Sequence, residues 1–126
     1  MTKKALMTKI CIPGIIFVVL LIWTIWGDTA LTVSTIKISS NHIPDSFSGF
    51  RIAQISDLHN AQFGKNNIKL LELLSENEPD IIVITGDLVD AGHTNIKVAI
   101  DFVKEAVSIA PVYYITGNHE ASLSQY

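Results

Sequence analysis

At 126 residues the chain has room for one domain at most. Nine basic residues stand against twelve acidic ones, for a formal net charge of −3. No basic stripe or basic-aromatic patch occurs, which argues against a nucleic-acid partner. The single cysteine, Cys11, excludes an internal disulfide and a thiolate cluster, so any metal must be held by Asp, His, Asn or Glu.

Lys3, Lys4 and Lys9 precede an uncharged stretch from Ile10 to Gly27. Its centre, Ile15 to Trp23, is wholly apolar. As a helix this stretch spans about 27 Å, enough for a hydrocarbon core of about 30 Å. Trp23 and Trp26 stand near its far end, where indole rings favour headgroups. The expected division is a cytoplasmic N-terminus (1–9), a single-pass transmembrane anchor (10–27) and a domain on the extracytoplasmic side of the cell membrane (28–126). A cleaved signal peptide is the second reading. It suffers from Asp28, which falls where a cut after Ala30 wants a small neutral residue. A buried core helix is the third, opposed by the lack of any polar face.

Leu31 to Ser39 alternates and predicts an outer strand. Ser40 to Gly49 carries the residues of a loop, with His42 as an exposed member. Phe50 to Ser56 predicts a strand that ends in Asp57-Leu58-His59. Asn67 to Glu76 predicts a helix whose stripe is Ile68, Leu71 and Leu74, widened by Leu70 and Leu73; Pro79 stops it. Ile81 to Thr85 is an unbroken apolar or β-branched run. It predicts a strand buried on both faces, closed by Gly86-Asp87. Asn95 to Ala110 predicts a second helix, capped by Thr94 or Asn95, with Ile96, Ala99, Ile100, Val103 and Val107 on one face. Val112 to Thr116 predicts a last strand, ending in Gly117-Asn118-His119-Glu120.

The expected order is β-β-α-β-α-β, an α/β fold with parallel strands. Parallel strands place their carboxyl ends on one edge, where ligands sit in open α/β sheets. Three loops then meet there, carrying Asp57 with His59, Asp87 with Asp90, and Asn118 with His119 and Glu120. Taken singly, each has an ordinary explanation as a turn, a cap or a surface residue. Together they place oxygen and imidazole donors after three successive strands. Such donors suit Mn²⁺, Fe, Zn²⁺ or Mg²⁺. In Asp57-x-His59 alternate residues can chelate one ion, and the two oxygens of Asp87 can bridge a pair. Two ions about 3.5–4 Å apart would clamp a phosphate and acidify a water. Gly86 and Gly117 free space where the backbone must turn beside them.

Asp57-Leu58-His59, Gly86-Asp87-Leu88-Val89-Asp90 and Gly117-Asn118-His119-Glu120 resemble the first three signature blocks of the calcineurin-like metallophosphoesterases. The resemblance covers Phe50 to Glu120. With the apolar segment before it, the chain is similar to the family's membrane-anchored bacterial branch. The resemblance implies the N-terminal half of an α/β/β/α sandwich. It implies Asp57 and His59 on a first divalent metal, Asp87 bridging, Asn118 on a second, His119 acting on the scissile phosphate and Asp90 orienting His119. Glu120 is read as structural, and Lys65 as solvated. His93 matches no ligand position.

The family's later blocks supply three more histidines, and none of them occurs here, so a fragment inactive by itself is expected. Ala91-Gly92 replaces the Arg-Gly of protein serine/threonine phosphatases and argues against that substrate class. The expected activity is hydrolysis of a phosphate mono-, di- or pyrophosphate ester, lipid- or envelope-linked by location alone. Two alternatives remain: a non-catalytic membrane-anchored binding or scaffold domain, or an inactive truncated product. Aspartyl-phosphate chemistry of the haloacid-dehalogenase type would want Asp-x-Asp, and Leu58-His59 does not supply it.

Overall fold

The computed structural model describes residues 12–24 and 31–123. The chain falls into two units, Met1–Thr35 and Ile36–Tyr126.

In the first unit residues 12–24 form helix α1, with its described side chains exposed. Among the described residues no helix is long and apolar enough to cross a membrane. The rest of the predicted 10–27 span, and the whole of the 1–9 segment, lie outside the described residues.

The second unit orders itself as β1 (Ile52–Ile55), α2 (Ile68–Glu76), β2 (Ile81–Ile84), α3 (Ile96–Ala106), β3 (Val112–Tyr114) and a short α4 (Asn118–Ala121). The sheet is parallel in the order β1-β2-β3. Ile52 pairs with Ile81, and Val83 with Tyr113. The alternating α/β core is therefore as expected. The predicted strand at 31–39 does not form: these residues join no ladder, and 32–39 are exposed. Alternation makes a segment able to be a strand, but only a neighbouring edge makes it one. The other boundaries hold or draw in by one to four residues, as the ends of strands and helices do.

Neighbouring strands joined by right-handed crossovers place both helices on one face of the sheet. Ile82 and Ile84 are wholly buried on that face. Leu70, Leu71, Leu74, Ala99, Phe102 and Ala106 supply the helices' share of the core. This corrects three expectations. On α2 Ile68, in the first turn, is exposed, and the buried stripe is Leu70, Leu71 and Leu74. On α3 the buried stripe is Ala99, Phe102 and Ala106, while Ile100 and Val107 are exposed. The helix turns its small residues to the sheet, which brings it close and buries the ring of Phe102. On β2 only one face is buried, since Ile81 and Val83 are half-exposed. The opposite face of the sheet is uncovered: Ile52, Tyr113 and Ile115 are 61%, 60% and 61% exposed.

Candidate metal centre

The three predicted loops do meet at the carboxyl edge of the sheet. Backbone pairing between β1 and β2 runs on past the strands. Asp57 N–H donates to Gly86 O (3.2 Å), His59 N–H to Asp87 O (2.9 Å) and Asn60 N–H to Leu88 O (3.1 Å). On the other side Ile115 N–H donates to Ile84 O (3.0 Å) and keeps β3 alongside β2 up to the turn.

The backbone at this edge is unusual. Asp57, His59 and Asp87 have φ of 56°, 46° and 51°, in the left-handed region. Asp and His enter it more readily than most residues, though still at a cost. Asn66, Asn67 and Glu78 share this backbone away from the edge, so it is not by itself a mark of a site. The two glycines serve different needs. Gly86 turns the chain at φ 100°, and a Cβ on it would lie 2.7 Å from Gly117 Cα. Gly117 is extended, at φ −96° and ψ −169°. It must be glycine because a Cβ would fall 2.6 Å from Asp87 N and onto its carboxylate.

One ligand atom each from His59, Asp87 and His119 lie within 4.8 Å of one another. The two imidazoles meet edge to face, with ring centroids 4.4 Å apart. Asp57 joins from the side, its Oδ1 3.7 Å from His59 Nε2. Two imidazoles and one carboxylate converging from three loops make a potential site for a divalent metal ion. Asn118 opens α4 and is exposed.

Asp87 is fixed from several sides. Its Oδ1 accepts from His119 N–H (2.8 Å) and so caps the first turn of α4 in place of the absent side chain of Gly117. Asp90 stands beside His119, its Oδ1 4.0 Å from His119 Nδ1, and the same oxygen accepts from Gly92 N–H (2.6 Å) and His93 N–H (3.2 Å). Those two bonds hold its carboxyl below the usual range, against a smaller opposing effect of burial. His119 Nδ1 accepts from Ala91 N–H (3.1 Å). The neutral ring therefore carries its proton on Nε2.

Glu120 does more than its reading as structural conveyed. Its carboxylate accepts from Asp87 N–H (2.9 Å), Val89 N–H (3.1 Å) and Gly117 N–H (2.8 Å). Burial works to raise its pKa, but the sum of these bonds wins and holds it at about 2. Tyr114 stands nearby, its phenol pushed up to about 12 by burial first and then by the negative charge of Glu120. Sequence reasoning missed Asn60, whose Nδ2 donates to His93 O (2.8 Å) and ties the first loop to the turn after Asp90. Its only signal was its position, directly after Asp57-Leu58-His59.

The sequence profile of the calcineurin-like phosphoesterases matches residues 50–126. The chain belongs to this family. A transmembrane protein with a metallophosphoesterase domain from Bos taurus is 29% identical over 70% of this chain and 20% of its own length. The uncharacterized metallophosphoesterase YkuE of Bacillus subtilis is 43% identical over 50% of this chain and 22% of its own. The uncharacterized metallophosphoesterase Cj0846 of Campylobacter jejuni is 31% identical over 74% and 25%. The chain thus spans a fifth to a quarter of the length of these metallophosphoesterases. No solved structure matches. Membership suggests a phosphoester hydrolase, and it gives the group His59, Asp87 and His119 a meaning as a potential metal site.

Proposed function

We propose that this chain is the N-terminal part of a membrane-anchored phosphoesterase that hydrolyses phosphate esters at a two-metal site. The observation that carries the reading is the convergence of His59, Asp87 and His119 within 4.8 Å at the carboxyl edge of a parallel sheet. Bound divalent ions would supply charge neutralisation at phosphate and a water acidified for in-line attack. The chain's own residues have distinct parts. Asp57 and His59 would hold one ion. Asp87, on the central strand, would serve both. Asn118 offers a neutral amide oxygen to the second. His119, protonated at Nε2, donates to the leaving oxygen or to the charge that develops on phosphate.

The open sheet face supports the fold assigned to the whole protein. Apolar residues as exposed as Ile52, Tyr113 and Ile115 call for cover. A second sheet packed there makes the α/β/β/α sandwich and brings the remaining histidines.

The full-length protein, loaded with Mn²⁺ and assayed on bis(p-nitrophenyl) phosphate, tests the chemistry. His119→Asn should lower kcat by roughly 10²–10⁴-fold while Mn²⁺ binds as before. Loss of Mn²⁺ with the activity would make His119 a ligand instead. Unchanged kcat would remove it from the reaction.

The exposed apolar helix α1 and the uncharged sequence on either side of it support the anchor, with the domain outside the cytoplasm. Protease added to intact cells should remove a C-terminal tag; a protected tag contradicts this placement. The substrate then lies outside the cytoplasm, and a phosphate ester of a lipid or envelope component fits that location.

A further inference from the structure

We propose that Glu120 is the positioning residue of the metal centre: its carboxylate clamps the loop after β2 to the loop after β3, and so sets where Asp87 and Asn118 stand. The inference rests on the metal reading of the site given above.

The sequence shows why a clamp is needed. Asp87 and Asn118 sit on loops whose strands end some thirty residues apart in the chain. Between those loops the backbone has no regular ladder; β3 stops at Tyr114, before the turn. Gly86 and Gly117 press against each other without side chains, so packing of side chains cannot fix their distance. The bonds from His119 N–H to Asp87 Oδ1 and from Ala91 N–H to His119 Nδ1 join the loops at one point each, and the Glu120 carboxylate joins them at three. Glu120 Oε2 is shared by Asp87 N–H and Gly117 N–H, at 2.9 and 2.8 Å, and Oε1 takes Val89 N–H at 3.1 Å. Two of these donors lie on the β2 loop and one on the β3 loop.

The same bonds act on Asp87 in particular. Its backbone is left-handed, which is strained for a residue with a side chain. Its N–H is held by Glu120 and its C=O by His59 N–H. Holding the amide on both sides points the carboxylate toward His59 and His119, where it also caps α4. Glu120 touches neither the metal ligands' donor atoms nor the substrate in this scheme. It works through Asp87, and through Asn118 two residues before it in the same short helix.

The test uses the full-length protein and reads Mn²⁺ binding directly, by the electron paramagnetic resonance of the free ion. Glu120→Gln keeps the length but offers one oxygen in place of two and sets an amide N–H₂ against backbone donors. Expected is a loss of Mn²⁺ affinity of about 10–100-fold, the range for residues that orient ligands. Amide exchange should quicken at Asp87, Val89 and Gly117, while Ile82 and Ile84 stay protected. Glu120→Asp restores both oxygens on a shorter arm and should recover part of the affinity. Wild-type Mn²⁺ affinity in Glu120→Gln overturns the proposal. So does loss of protection at Ile82 and Ile84 in both variants, which would make Glu120 a residue of the whole fold. Asp57→Asn is the control for the underlying reading. If it leaves Mn²⁺ affinity unchanged, the metal assignment fails, whatever Glu120 does.

Discussion

Asp87→Asn should reduce Mn²⁺ affinity by on the order of 100-fold or more, beyond the 10–100-fold typical of residues that only orient ligands. It should lower kcat/KM on a phosphodiester by about 10³-fold, which corresponds to about 4 kcal/mol. Asparagine is the informative replacement because it changes little else. It tolerates the left-handed backbone at φ 51°. Its side-chain oxygen can still accept from His119 N–H, as Asp87 Oδ1 does at 2.8 Å. Its own N–H can still reach Glu120. What disappears is one negative charge between two imidazoles. Thermal unfolding in metal-free buffer should therefore stay within a few degrees of wild type, while titration with Mn²⁺ separates the two proteins. Equal Mn²⁺ affinities would remove Asp87 from the centre of the site.

Gly86→Ala should destabilise the fold by about 3–5 kcal/mol, a large share of a typical domain's 5–15 kcal/mol. Two costs combine there. The first is the backbone at φ 100°, which an L side chain rarely adopts. The second is contact, since the new methyl would sit 2.7 Å from Gly117 Cα and 2.8 Å from Gly117 N. Both are backbone atoms and cannot swing aside, so the two loops must separate. Gly49→Ala divides the costs. Gly49 also has a positive φ, of 81°, but nothing lies within 4 Å of the Cβ position. That variant should lose only about 1–2 kcal/mol, the left-handed backbone term. Urea denaturation monitored by far-UV circular dichroism measures both. If the two substitutions cost the same, the close approach of the loops is not kept in solution.

The parts of the fold that were legible were those written in apolar runs. Ile81 to Thr85 announced β2 and its abrupt end at Gly86-Asp87, and the lengths between strands announced helical crossovers. The strand at 31–39 was not legible, because its alternation states a capacity and not a partner. On α3 the 3.6-residue repeat could be drawn through Ile96, Ala99, Ile100, Val103 and Val107 or through Ala99, Phe102 and Ala106. The sheet chose the second, and depth of burial at a small residue is not written in its hydrophobicity. The same limit holds at the site. That His59, Asp87 and His119 share one edge follows from parallel strands. That Asp90 spends its carboxylate oxygen on Gly92 and His93, and that Glu120 ties two loops, are matters of backbone geometry. No residue pattern encodes them directly.

The left-handed backbone at Asp57 and Asp87 also bears on how such a protein drifts over generations. On the metal reading proposed above, most replacements there damage two things together, a ligand and the turn, and are removed as misfolded chains. Asparagine is the exception, since it keeps the turn and gives up the charge. Aspartate and asparagine codons differ by a single base. One transition is therefore enough to turn a family member into a folded, inert copy of itself, free to be kept as a binder or decoy. Counting asparagines at these two positions among relatives would measure how often that exit has been taken.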